Sequence, residues 1–326
     1  MKKKHSCHIL ICLLLFANCF IYPQDMAQHR LVYFPEKDIT VKDSSDIKMN
    51  REIREYLYAF ENYSAGIISN TDFDLIKKTI PGVAKVKDLS KIVVSIKIKD
   101  NLTTVLSELA KLGVDDDESF YYYKNYIQCA IPILNLNLLK KLPSVISIDI
   151  PETLVTNSYN STAADTSQGF FKMNAQTFHK FGYRGKGVKI AILDQGFSGY
   201  DTLLGRELPE NVIIKSFYND TKGKGDITGK GKVHGTKCAE IIYDIAPEAE
   251  FYLVNSNTKA EWFAAVDYLI KERVDIISHS AGWRNLSFYD GTGVISEKAM
   301  EAINAGILWV NGSGNEAQDH WYGEWK

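Results

Sequence analysis

The sequence predicts an α/β fold, a parallel sheet covered by helices, behind a smaller α+β module. Three observations predict it. Residues 92 to 150 fall into the order β-α-β-β-α-β. From Gly185 onward, short apolar runs alternate with amphipathic stretches of helical period. Between these regions, residues 152 to 170 are rich in Ser, Thr, Asn and Asp and read as a linker. The chain has 326 residues, 45% hydrophobic and 24% charged, a composition that builds a packed core. A formal net charge of -2, with no long block of one sign, gives no footprint for nucleic acid.

The elements follow in chain order. Lys2, Lys3 and Lys4 precede an apolar run from Ile9 to Tyr22 that is short for a bilayer span. Residues 1–24 therefore read as a secretory signal, which makes the protein secreted or periplasmic. Phe16-Ala17-Asn18-Cys19 is similar to a bacterial lipobox, so a lipid on Cys19 is the alternative, and the only route to a membrane anchor in the cell envelope. Three of the five cysteines lie in this leader. Cys129 and Cys238 remain, each expected as a small buried side chain rather than part of a disulfide framework. Residues 25–90 form a segment of unknown role with one helical pattern, Arg51 to Asn62.

The module, residues 91–151, opens on a strand, Ile92 to Ile98, with Val94, Ile96 and Ile98 on one face. Asn101 can cap a helix whose stripe is Leu102, Val105, Leu106 and Leu109, and Gly113 can end it. Ser119 to Lys124 and Tyr126 to Pro132 are extended, Asn135 to Leu142 is a short helix, and Val145 to Ile150 is the last strand. This is the split βαβ, or ferredoxin-like, arrangement.

After the linker, Val188 to Leu193 is a buried-strand run broken only by Lys189. Phe251 to Asn255 is a second strand. Thr258-Lys259-Ala260-Glu261 forms a capping box ahead of the helical stripe Trp262, Ala265, Val266, Leu269, Ile270. Val274 to Ser278 and Ile307 to Val310 are strands, separated by a helix from Ser296 to Ala305. In such folds, sites lie beyond the carboxyl ends of the strands.

Three residues there carry chemistry. Asp194 ends its strand, where a carboxylate can orient a base; alone it reads equally as a turn former. His234 starts a helix, next to a glycine that permits close approach. Asn315 sits in the glycine-rich turn Gly312-Ser313-Gly314-Asn315-Glu316, where its amide can donate to a developing oxyanion. A dinucleotide site is excluded, because Gly185-Lys186-Gly187 precedes its strand instead of following it.

Taken together these motifs resemble the subtilase family over roughly residues 168 to 316. Ile190 to Gly196 resembles its aspartate motif, with Gln195 where Thr or Ser is commoner. His234-Gly235-Thr236 resembles its histidine motif, Ile277 to Gly282 its substrate-lining strand, and Gly312 to Glu316 its oxyanion motif. The resemblance implies a subtilisin-like serine endopeptidase using an Asp-His-Ser triad. Asp194 and His234 would be catalytic, Asn315 would bind the oxyanion, and Ser280, Ala281, Gly282, Gly312 and Gly314 would bind substrate. It implies a polypeptide substrate, no cofactor, and structural calcium with unknown ligands. It further implies that residues 91–151 are a propeptide acting as an intramolecular inhibitor, with residues 171–326 the catalytic domain. The family's Gly-Thr-Ser motif is the departure. No serine follows Ser313, so the catalytic domain is expected to be truncated, and this chain inactive as it stands. An inactive subtilase-like peptide-binding protein, or an exported lipoprotein, is the alternative function.

Overall fold

A computed structural model describes residues 48–79, 90–99, 102–117, 119–156, 167–283, 286 and 290–314. The expected leader with Cys19, the Asn101 cap, linker residues 157–166 and Asn315 lie outside the described residues. Among the described residues, no helix is long and apolar enough to cross a membrane.

Two sheets organise the described residues. The first has four antiparallel strands in the order β2-β3-β1-β4. They are β1 (Lys91–Ile98), β2 (Tyr121–Tyr123), β3 (Tyr126–Pro132) and β4 (Val145–Asp149). The alternation in β1 sends Val94, Ile96 and Ile98 into one apolar core with Ile127, Cys129 and Ile131 of β3. Helix α1 (Arg51–Ser64) and helix α2 (Asn70–Thr79) come before this sheet, and α3 (Leu102–Lys111) lies between β1 and β2. The expected helix at 135–142 is tighter: a 3-10 turn at Ile133–Asn135 runs into α4 (Leu136–Leu139).

Residues 48–79 are not a separate body. Ile53, Tyr56, Leu57 and Ala59 of α1 join the core of the four-stranded sheet, and Phe73 of α2 stacks on Tyr56 and Tyr63. Residues 48–79 and the four-stranded sheet therefore share one apolar core.

The second sheet has five parallel strands in the order β6-β7-β5-β8-β9. They are β5 (Lys189–Asp194), β6 (Ile213–Ser216), β7 (Glu250–Asn255), β8 (Ile276–His279) and β9 (Leu308–Asn311). Two short helices, α5 (Gln168–Lys172) and α6 (Ala175–Lys180), precede it, and three longer ones follow: α7 (His234–Ile245), α8 (Lys259–Glu272) and α9 (Val294–Asn304). Strand β5 explains why its sequence is a continuous apolar run. Ile190 and Ile192 pack with Ala239 and Ile242 of α7 on one face, while Ala191 and Leu193 pack with α8 residues Trp262, Phe263 and Val266 on the other. The capping box of α8 forms as the sequence predicts, between Thr258 and Glu261.

The module docks on α8 and α9 through its β2–β3 hairpin. Tyr121 donates to Asp267 at 2.5 Å, Tyr123 donates to Glu301 at 2.5 Å, and Lys124 pairs with Glu297. Lys298 is buried beneath them, bonded to Asp267 and, at 2.9 Å, to Glu301. Tyr123 also packs on the Phe263 ring with centroids 4.8 Å apart.

Candidate active site

The order of strands places the site. The chain runs from β5 to β6 and β7 on one side, then crosses to β8 and β9 on the other. The point where that direction reverses, beyond the carboxyl ends of β5 and β8, is where the crevice of an open α/β sheet lies. Asp194 is the last residue of β5, and Ser280 follows the last residue of β8.

His234 reaches this point from the first turn of α7. Its Nδ1–H donates to Asp194 Oδ2 at 2.7 Å. Asp194 is fully buried, and its other oxygen, Oδ1, accepts the Gln195 backbone N–H at 2.7 Å. One oxygen is therefore fixed by the backbone and the other by the imidazole. The ring is left only 16% exposed. The Asp194 hydrogen bond, then the Cys238 sulfur, raise the His234 pKa to about 10 against the opposing effect of burial.

Two glycines permit this approach. A Cβ on Gly235 would lie 2.7 Å from Gly196 O, 2.7 Å from the Phe197 ring and 2.9 Å from Asp194 Cβ. A Cβ on Gly196 would lie 2.5 Å from Thr228 O. The helix start and the turn after β5 thus touch backbone to backbone, and Gly235 N–H donates to Gly196 O at 3.1 Å. Asn255, at the end of β7, holds the same turn. Its amide donates to the carbonyls of Asp226, Ile227 and Gln195 at 2.8, 3.1 and 3.3 Å.

The other expected residues divide as follows. Ser280 is exposed, Ala281 is buried and Gly282 is half-buried at the crevice. Gly312 N–H donates to His279 O at 2.9 Å, bringing the start of the glycine-rich turn against Ser280. Gly314 is exposed with φ +91°, and Asn315 lies outside the described residues. Cys238 is half-buried and free, more open than its apolar context suggests, whereas Cys129 is buried as expected. Among the described residues, Asp194, His234 and Cys238 form the one cluster whose ligating atoms converge.

One arrangement has no local signal in the sequence. Residues 152–156 run extended along the crevice. Val155 and Gly282 exchange both backbone hydrogen bonds, at 3.0 and 3.1 Å. On the opposite side Leu154 N–H donates to Asn257 O at 2.6 Å, and Lys259 N–H donates to Glu152 O at 3.2 Å. The Gln195 side chain completes the grip: its amide donates to Leu154 O, and its carbonyl accepts the Thr156 hydroxyl at 2.7 Å. The segment is thus a peptide strand held between two walls, with side chain and backbone both read.

Similarity to known proteins falls on the same part of the chain. The sequence model of the subtilase family matches residues 185–324. The Major intracellular serine protease of Bacillus subtilis is 29% identical over 180 residues, which cover 50% of this chain and 53% of that protein. The Minor extracellular protease Epr of the same organism is 30% identical over 168 residues, covering 48% of this chain and 25% of that protein. This chain therefore spans about half the length of the first relative and a quarter of the second. Among solved structures, the Epidermin Leader Peptide Processing Serine Protease of Staphylococcus aureus aligns with TM-score 0.43 and 18% identity, over 69% of this chain and 60% of that one.

Proposed function

We propose, from the premise that residues 185–324 belong to the subtilase family, that the protein is an exported serine endopeptidase whose own N-terminal module holds its cleft closed. The observation that carries the reading is the 2.7 Å hydrogen bond from His234 to the buried Asp194 at the carboxyl end of β5. In this role Asp194 holds the imidazole by its Nδ1–H, so that Nε2 is the nitrogen that takes the proton of a serine hydroxyl once the ring is neutral, and the raised pKa of His234 puts that neutral form at alkaline pH. Asn315 stabilises the oxyanion, a contribution of about 3 kcal/mol in sites of this kind. Ser280, Ala281 and Gly282 pair with substrate backbone on one side, while Gly312 and Gly314 shape the pocket beside them. Within residues 1–326, Asp194 and His234 take the aspartate and histidine places of such a triad.

Support for the inhibitory role comes from residues 152–156. A strand bonded on both edges of the crevice blocks it to any other peptide. The module is anchored next to it by Tyr121, Tyr123 and Lys124 on α8 and α9.

The test compares residues 1–326 with a polypeptide continued to the length of the relatives. The longer one should hydrolyse casein, and His234→Ala should reduce turnover by roughly 10⁶-fold. Its mature N-terminus, read by mass spectrometry, should fall between Pro151 and Gly169. Residues 1–326 alone should release no peptides. Hydrolysis by residues 1–326 that disappears in His234→Ala would overturn the assigned nucleophile.

A further inference from the structure

The side chain of Cys238 has no part in the chemistry above, yet it stands beside the dyad. It lies one helical turn after His234 on α7, so both side chains leave the same face. Its Sγ is 3.8 Å from His234 Nδ1, the same nitrogen that donates to Asp194 at 2.7 Å. One ligating atom from each of the three residues lies within 4.8 Å of the other two. A carboxylate oxygen, an imidazole nitrogen and a thiol sulfur thus converge, and the thiol is in no disulfide.

We propose that Asp194, His234 and Cys238 form a binding site for a thiophilic divalent cation, with zinc as the biological representative. The donor set is the argument for that class. Thiolate and imidazole together select zinc and its neighbours over calcium and magnesium, which take oxygen. The dimensions fit with small adjustments. Tetrahedral zinc, with bonds of about 2.0 Å to nitrogen and oxygen and about 2.3 Å to sulfur, sets its ligand atoms about 3.3–3.6 Å apart. From the present spacings the N···O pair must open by about 0.6 Å and the sulfur must close by as much as about 1.2 Å, a shift within reach of a rotation of the Cys238 side chain. Asp194 is prepared for the task, since Gln195 N–H holds its Oδ1 and leaves Oδ2 as the ligand.

Binding has a defined consequence for protons. The thiol loses its proton to solvent. The cation takes the lone pair at Nδ1, whose proton leaves to solvent, and the ring's remaining proton sits on Nε2. A histidine with Nε2 protonated cannot accept the proton of a serine. Resting on the endopeptidase reading above, the site is a reversible inhibitory one that acts on the base itself rather than on the substrate cleft.

The experiment does not require turnover. The full chain is prepared with Cys7→Ser, Cys12→Ser and Cys19→Ser, so that the leader adds no thiolate, and titrated with cobalt(II) chloride, then zinc chloride. The expected result is one cobalt per chain with a sulfur-to-cobalt charge-transfer band, displaced by zinc. Cys238→Ser should abolish the band and weaken zinc binding at least tenfold, while leaving the circular dichroism of the fold unchanged. Nitrogen-15 spectra of the histidines should show His234 lose its Nδ1 proton and keep a proton on Nε2 as zinc is added. A charge-transfer band that persists in Cys238→Ser, no band in the parent, or a His234 that keeps its Nδ1 proton under saturating zinc would each overturn the proposal. None of these readouts depends on proteolysis, so the endopeptidase reading stands or falls separately.

Discussion

Gly235 decides whether the dyad forms. Any side chain there meets Gly196 O and the Phe197 ring at 2.7 Å, both of them closely packed. Gly235→Ala should therefore push the start of α7 away from β5 and cost about 1–3 kcal/mol, the usual range for overpacking a dense site. Denaturant midpoints give the cost, and loss of the low-field His234 Nδ1 proton resonance reports the broken hydrogen bond. The imidazole also sets a pH dependence. Its pKa is raised from about 6.5 in the unfolded chain to about 10 in the fold. The folded state thus binds the extra proton, and the stabilisation is complete below the lower value and lost as pH rises through the upper one. Unfolding curves of the parent and His234→Gln, taken from pH 6 to pH 10, should converge as pH increases. The two thiols of the folded region should also differ. Burial pushes Cys129 up to about 12, while Cys238 is half-buried. Iodoacetamide at pH 8, followed by peptide mapping, should modify Cys238 and spare Cys129 in the native protein.

Among the elements, α8 connects the core to the crevice. Its cap does two jobs: the Thr258 hydroxyl accepts Glu261 N–H, and the Glu261 carboxylate accepts the N–H groups of Asn257 and Thr258 at 2.8 and 3.0 Å. Asn257 is the residue whose carbonyl holds Leu154. Thr258→Ala should cost about 1 kcal/mol of stability and should also speed hydrogen exchange at the Leu154 amide, which a cap serving α8 alone would leave unchanged. This cap was legible in the sequence because its signal spans four consecutive residues. So were β1, through the alternation of Val94, Ile96 and Ile98, and β5, through its apolar run. Strand β6 was not legible: Ile213-Ile214-Lys215-Ser216 is too short to show a period, and Ile214 is exposed. Helices α5 and α6 have little apolar stripe, with Ala175 the one buried side chain described in them. The role of α1 depends on contacts with strands some forty or more residues away. At the site, Asp194 and His234 were recognised only because several motifs occurred in one order; forty residues separate them, and no periodicity records their contact. The grip of Gln195 on Leu154 and Thr156 left no trace, since a polar stretch reads as a linker whether or not it is bound.

At the scale of the whole molecule, the module and the parallel sheet meet through tyrosine hydroxyls and carboxylates around Lys298. Burial raises the Glu301 pKa, but hydrogen bonds from Tyr123 and Lys298 outweigh it, and the net shift is downward. A depressed carboxylate contributes stability above its unfolded value of about 4.3, and loses it as pH falls through the folded value. Hydrogen exchange in β2 and β3 should therefore accelerate below about pH 4, and Glu301→Gln should flatten that response. The strand at residues 152–156 has a further consequence, because it is covalently continuous with the docked module. While the chain is intact, the strand faces its crevice at an effective concentration of millimolar order, whatever the dilution of the sample. Once the backbone behind Thr156 is cut, the same contacts belong to two separate molecules, and their occupancy follows mass action. After the cut, occupancy of the crevice would then depend on volume: the more dilute the protein, the more completely the strand leaves it.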